Sequence, residues 1–248
     1  MFTAQSTLRS IALAQPATIR VFERFHLDYC CGGARPLEEA CAEKALNVAN
    51  VLAALHQVAP EQVVTAPLDR DFSQATPTEL IRHIVQTHHA YIRSELPRLV
   101  SLSNRVAAKH GPVHPEYIQV EERIAVLNTE LLNHLSKEEI ILFPYIESLE
   151  RFSSQGGDAP HACFATVASP IQMMMSEHEA AGALLESMRT STGGFTPPAN
   201  ACPTLVGLLD ALDAFERDLH RHVHLENNLL FPLAVALEKQ ALVAEHSC

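Results

Sequence analysis

Two stretches of this chain read almost alike, and both carry side chains that bind metal ions. His134-Leu-Ser-Lys-Glu138 is followed by Ile140-Ile-Leu-Phe-Pro144, and His222-Val-His-Leu-Glu226 by Asn228-Leu-Leu-Phe-Pro232, 88 positions later. A His and a Glu four residues apart lie about 40° apart around a helix and one turn along it, so both reach one ion. His89 precedes His134 by 45 residues, and His178 precedes His222 by 44. Each half therefore reads as a helix with one His, a loop, and a helix with His-x-x-x-Glu. Folded as an antiparallel bundle, the two halves bring four imidazoles and two carboxylates into one layer, as bundle-core metal sites do.

The types in that set narrow the metal. Imidazoles and carboxylates without a thiolate point away from structural zinc and copper(I). If Glu138 and Glu226 bridge, each of two ions keeps two imidazoles and open positions for an oxo or hydroxo bridge or a small diatomic ligand. Iron is the first choice and manganese the second. A single His on an apolar helix face is usually an ordinary core histidine, and one His-x-x-x-Glu pair is weak. The repetition carries the signal.

Helical phase sorts the other candidates. His88 and His89 cannot both point inward, and alignment with Ser176-Glu-His178 selects His89. His220 and His224 lie about 160° from His222 and are expected to face outward. His110, at the end of the first long helix, is a candidate secondary or substrate-side group. Glu130 and Asp218 each precede a ligand histidine by four residues and are expected to orient its second ring nitrogen.

Four long helices must carry these residues, expected near 78–108, 116–150, 168–190 and 202–240, with breaks rich in Gly, Pro and small polar residues. Before them, residues 1–58 read as a small helical domain with helices from Pro16 to Phe25, over 36–44 and over 47–57. Residues 59–77 read as a linker, and 78–248 as the main domain. Of the 248 residues, 47% are apolar, only 6% aromatic, and none is Trp, which suits an all-α class packed with Leu, Ile, Val, Ala and Met. A net charge of −11 argues against nucleic-acid binding. No stretch approaches the roughly 18 apolar residues of a membrane span, and the first residues lack signal-peptide order. A cytoplasmic protein with mostly reduced cysteines is expected.

Asp28-Tyr-Cys30-Cys31-Gly-Gly33, together with His134-x-x-x-Glu138-Glu-x-Ile-Leu-Phe-Pro144, Ser176-Glu-His178-x-x-Ala-Gly182 and His222-x-x-Leu-Glu226-Asn-Asn-x-Leu-Phe-Pro232, resembles the iron–sulfur cluster repair di-iron proteins. The resemblance covers nearly the whole chain. It implies a hemerythrin-like antiparallel four-helix bundle behind a small N-terminal helical domain. His89, His134, Glu138, His178, His222 and Glu226 are then the ligands of two non-haem iron ions, oxo- or hydroxo-bridged, with His110 a further family position. It also implies repair of clusters damaged by nitric oxide or oxidants, by donation of iron. The expected partners are iron–sulfur proteins with damaged clusters, nitric oxide or oxygen as small ligands, and a second copy in a homodimer. A di-iron nitric oxide reductase, or a sensor that binds nitric oxide or oxygen, stands as the alternative, so enzymatic activity stays open. Cys30 and Cys31 form a thiol pair at a turn, where thiolate character would serve iron transfer, persulfide handling or docking. The plainer reading is one buried and one solvent-facing cysteine.

Overall fold

The computed structural model describes residues 2–58, 71–72, 74–157 and 160–245. The expected linker at 59–77 lies largely outside the described residues. The described chain is helical without strands; a single bridge pairs Thr7 with Pro36. It forms two compact units, Met1–Thr76 with His220–Pro232, and Pro77–Leu219 with Leu233–Cys248.

In the first unit, α1 (Leu8–Ala14) starts at Thr7, whose hydroxyl accepts the Ser10 N–H at 3.1 Å. This helix was not foreseen from the sequence. Leu8, Ile11 and Ala12 recur at helical spacing and are buried. A 3₁₀ turn over Pro16–Thr18 then leads into α2 (Ile19–Arg24), where one continuous helix was expected. His26, at φ 51°, turns the chain away. α3 (Leu37–Glu43) and α4 (Val48–His56) follow, with Asn47 capping α4 as read from the sequence. Leu8, Ile11, Phe22, Tyr29, Leu37, Val51 and Leu55 form the core, each worth about 1.5–3 kcal/mol on burial.

The Asp28–Gly33 turn is built around one carboxylate. Asp28 accepts the N–H groups of Cys30 at 3.2 Å, Cys31 at 2.9 Å and Gly32 at 2.9 Å. Burial alone would raise its pKa, but these N–H groups and the Cys30 thiol hold it below the ordinary value. A carboxyl with a depressed folded pKa stabilises the fold above its unfolded value of about 3.9 and loses that contribution as pH falls through the folded value. Asp28→Ala is therefore expected to cost this unit about 1 kcal/mol at neutral pH, discounted for the exposed edge of the side chain. The gap in thermal midpoint from the parent should narrow below about pH 4, and a gap independent of pH would refute the charged cap.

Gly33 is required by close approach, because a Cβ there would stand 2.7 Å from the Tyr29 carbonyl and 3.2 Å from Asn228 Oδ1. Asn228 donates to the carbonyls of Tyr29 at 3.2 Å and Cys30 at 3.4 Å. Pro232 has no N–H for the Asn228 carbonyl four residues back, and the Arg9 guanidinium donates to that oxygen at 3.0 Å.

The second unit closes a four-helix ring. α5 (Pro77–His83) continues through a π-helical turn (Ile84–His89) into α6 (Ala90–His110). α7 (Glu116–Lys137) continues through a π turn (Glu138–Leu142) into α8 (Phe143–Gln155). α9 (Ala168–Ser191) stands alone. α10 (Pro203–Leu225) continues through a π turn (Glu226–Leu230) into α11 (Phe231–Glu245), with the stretch His220–Pro232 belonging to the first unit. α6 packs on α7 and α7 on α9. Arg189 joins α9 to α10 through Asp213 and Glu216, and Tyr91 of α6 meets Phe215 of α10 with ring centroids 6.2 Å apart.

Candidate metal centre

The apolar stripes of the helices carry the histidines inward. On α7 the buried face runs Val120, Ile124, Leu127, Leu131, His134; on α9 it runs Ile171, Met174, His178, Ala181, Leu185. A histidine at such a position must enter the core, and His89, His134, His178 and His222 are each 2% exposed or less.

Both repeats pass into a π turn at their glutamate. The N–H of Phe143 reaches back five residues to the Glu138 carbonyl, and that of Phe231 to the Glu226 carbonyl. Pro144 and Pro232 follow at once. A proline inside a helix removes one i to i−4 bond and crowds the carbonyl four residues back, and the wider π turn relieves that crowding. The sequence reading missed these turns, although the shared Leu-Phe-Pro was the available signal.

Among the described residues, three sets of possible ligand atoms each lie within 4.8 Å of one another. Two are in the bundle: His89, Glu138, His222 and Glu226, and His134, Glu138, His178 and Glu226. A smaller one, Asp28, Cys30 and Cys31, is at the N-terminal turn. All six residues singled out by the repeat are present, and both glutamates belong to both bundle sets. Glu138 divides its oxygens, with Oε2 3.4 Å from His89 Nε2 and Oε1 3.4 Å from His134 Nε2. His222 Nε2 lies 2.8 Å from Glu226 Oε1, and His134 Nε2 lies 3.0 Å from His178 Nε2.

The outer ring nitrogens determine what the inner ones offer. His89 Nδ1 donates to Glu139 Oε1 at 2.7 Å, and Arg93 steadies the same carboxylate at 3.2 Å. His134 Nδ1 donates to Glu177 Oε2 at 2.8 Å, and Lys137 pairs with the other oxygen. Burial works to raise the Glu177 pKa, yet Lys137 and His134 bring it below the ordinary range, so it stays an acceptor. With the proton on Nδ1, each Nε2 directs a lone pair at the centre, which is the form that ligates a cation. Buried lone pairs facing one another at 3.0 Å fit a site made for positive charge.

Several expectations are corrected. Glu130 is exposed, and His134 takes its carboxylate from Glu177 instead. Asp218 bonds His88 Nδ1 at 3.0 Å rather than orienting His222, so His88 too is buried, at 2% exposure. The outer nitrogen of an imidazole points away from its own helix, so its partner sits on the neighbouring one. His110 joins none of these sets; its Nε2 lies 3.2 Å from Cys202 Sγ. His224 is buried against Tyr29 (ring centroids 5.4 Å apart) and accepts from Asn228 at 2.9 Å; burial pushes its pKa down to about 4. Cys30 is buried, its thiol donates to Asp28 at 3.2 Å, and its pKa is pushed up by Cys31 and by burial, so thiolate character does not develop there. Cys31 is half-buried.

Glu177→Gln is expected to weaken metal binding about 10–100-fold, while Glu130→Gln leaves it unchanged. Competition against a chelator of known affinity measures both; equal affinities for the two variants would remove the role of Glu177.

An all-α bundle whose core gathers imidazoles and shared carboxylates defines a class of cation-binding helical proteins. The family model of the hemerythrin HHE cation binding domain matches residues 80–234, and that of a domain of unknown function (DUF542) matches residues 4–59. The chain is 35% identical to the probable iron-sulfur cluster repair protein of Haemophilus influenzae, over 94% of this chain and 97% of the relative. It is also 35% identical to the iron-sulfur cluster repair protein YtfE of Escherichia coli O157:H7 and to that of Enterobacter, over 93% of this chain and 97% of each relative. The chain belongs to the iron–sulfur cluster repair family, with a hemerythrin HHE domain.

Proposed function

We propose that this protein repairs damaged iron–sulfur clusters by giving up iron held at His89, His134, Glu138, His178, His222 and Glu226. The observation that carries the reading is the membership of both carboxylates in both bundle sets. Two ions sharing two glutamates, with two imidazoles each, form a dinuclear centre of hard and borderline ligands, which suits iron. Iron there supplies a redox-active, releasable cation. Glu139 and Glu177 hold the rings of His89 and His134 in their ligating tautomer. The relatives' names carry the repair role. Nitric oxide and oxidants as the damaging agents, and a cytoplasmic setting, belong to the same reading; no helix among the described residues is long and apolar enough to cross a membrane. In the N-terminal unit the thiol role falls to Cys31, because Cys30 is buried and held protonated.

The test is iron quantification with Mössbauer spectroscopy on protein purified without added metal, followed by incubation with an iron–sulfur protein whose cluster has been damaged by nitric oxide. About two irons per chain in a coupled site, and recovery of the target's activity as iron leaves the donor, are expected. A mononuclear spectrum, or no recovery from an iron-loaded protein, would overturn the reading.

A further inference from the structure

At the far end of α6 from His89, the length of this 21-residue helix away (about 30 Å), stands a second reactive arrangement. Cys202 occupies the residue before Pro203, the first of α10, and its carbonyl accepts the Val206 N–H at 3.1 Å. That is the capping position, where Ser, Thr, Asn or Asp ordinarily accepts the free N–H groups of the first turn. Here the residue is a cysteine, and the first-turn N–H groups of Leu205 and Thr204 favour its thiolate form. A neutral thiol accepts weakly, whereas a thiolate accepts strongly and matches the positive end of the helix. His110 Nε2 lies 3.2 Å from the same sulfur and its ring meets Tyr117 edge-on, with centroids 6.2 Å apart. The amide of Leu205, with that of Thr204 and the Lys109 charge, brings the Cys202 pKa below the ordinary thiol value. Cys202 is partly accessible, while Cys30 and Cys41 are buried and their thiols pushed up.

We propose that Cys202 and His110 form a thiolate–imidazole pair that takes an anionic low-molecular-weight disulfide, of the glutathione type, into a reversible mixed disulfide. The Cys202 thiolate attacks one sulfur of the disulfide. A new sulfur–sulfur bond forms, the reagent's own breaks, and its second half leaves as a thiolate. Cys202 is oxidised and the departing half reduced. The proton that His110 took from Cys202 passes to the departing thiolate. Lys109 favours the carboxylates of such a carrier over a neutral one. This site is independent of the metal centre in both residues and chemistry.

The test uses the full chain, with limiting iodoacetamide from about pH 5.5 to 9 and, separately, oxidised glutathione at about pH 7, the modified residues being located by peptide mass spectrometry. Cys202 is expected to alkylate about tenfold faster than exposed Cys163 near pH 6.5, and the glutathione adduct to concentrate on Cys202. His110→Asn should move the half-labelling pH of Cys202 upward. Cys202→Ser should abolish the adduct while its hydroxyl keeps the cap and the melting temperature. Equal rates and pH profiles for Cys202 and Cys163 in the unmodified protein, or an adduct that maps to Cys31 or Cys163, would overturn the proposal.

Discussion

If the two bundle sets hold iron as proposed, Glu138→Gln is expected to lower bound iron from about two ions per chain to well below one, a larger loss than any single histidine substitution produces. Glu138 belongs to both bundle sets, with one oxygen toward His89 and the other toward His134, so one change removes a ligand from each. The amide is neutral, keeps one acceptor oxygen, and turns an N–H₂ donor toward an Nε2 whose lone pair should meet a cation. His178→Ala, by contrast, strips a single set. Because Gln matches Glu in shape, the helical circular dichroism should persist, separating loss of metal from loss of fold. Iron content and the Mössbauer spectrum decide; two coupled irons retained in Glu138→Gln would show that the carboxylate does not bridge.

Arg189→Leu should have the largest effect on stability. Arg189 donates to Glu216 at 2.7 Å, to Asp213 at 2.7 Å and to the Gly194 carbonyl at 3.2 Å, and its guanidinium lies 4.5 Å from the Phe195 ring centroid. Glu216 is only 4% exposed. Removing the cation leaves a buried carboxylate without its counter-charge, which costs about 3–5 kcal/mol, roughly 10 °C in thermal midpoint for a domain of this size. Most of that cost is desolvated charge rather than lost contact, so Arg189→Leu with Glu216→Leu should recover most of the loss. A double variant no more stable than Arg189→Leu would assign the effect to lost packing against Phe195. Iron per folded chain should be unchanged, since neither residue belongs to a cation set.

The parts of the structure legible beforehand are those with a local cause. Asn47 announced α4 because a cap acts within three residues. His134 and His178 announced the core layer because each continues an apolar stripe of its own helix. α1 carries helical spacing only at Leu8, Ile11 and Ala12, a single repeat that does not stand out in the sequence until the structure shows those residues buried. The π turns escaped notice because a hydrophobic pattern does not register one extra residue in the helical ring; only the proline after each Phe hints at it.

That His134 and Glu138, and His222 and Glu226, share a buried face could be read from the sequence alone, because residues four apart on a helix share a face whatever the helix packs against. Which carboxylate meets each outer imidazole nitrogen was decided by the tertiary structure: Glu177 and not Glu130 for His134, and His88 and not His222 for Asp218. So was the meeting of His110 with Cys202, two residues assigned unrelated roles or none. These pairs cross between helices. Their partners depend on rotation, register and π-turn widening, and no spacing along one strand of sequence encodes them. The inward face of a helix is a property of its own period, whereas its outward partners belong to its neighbours.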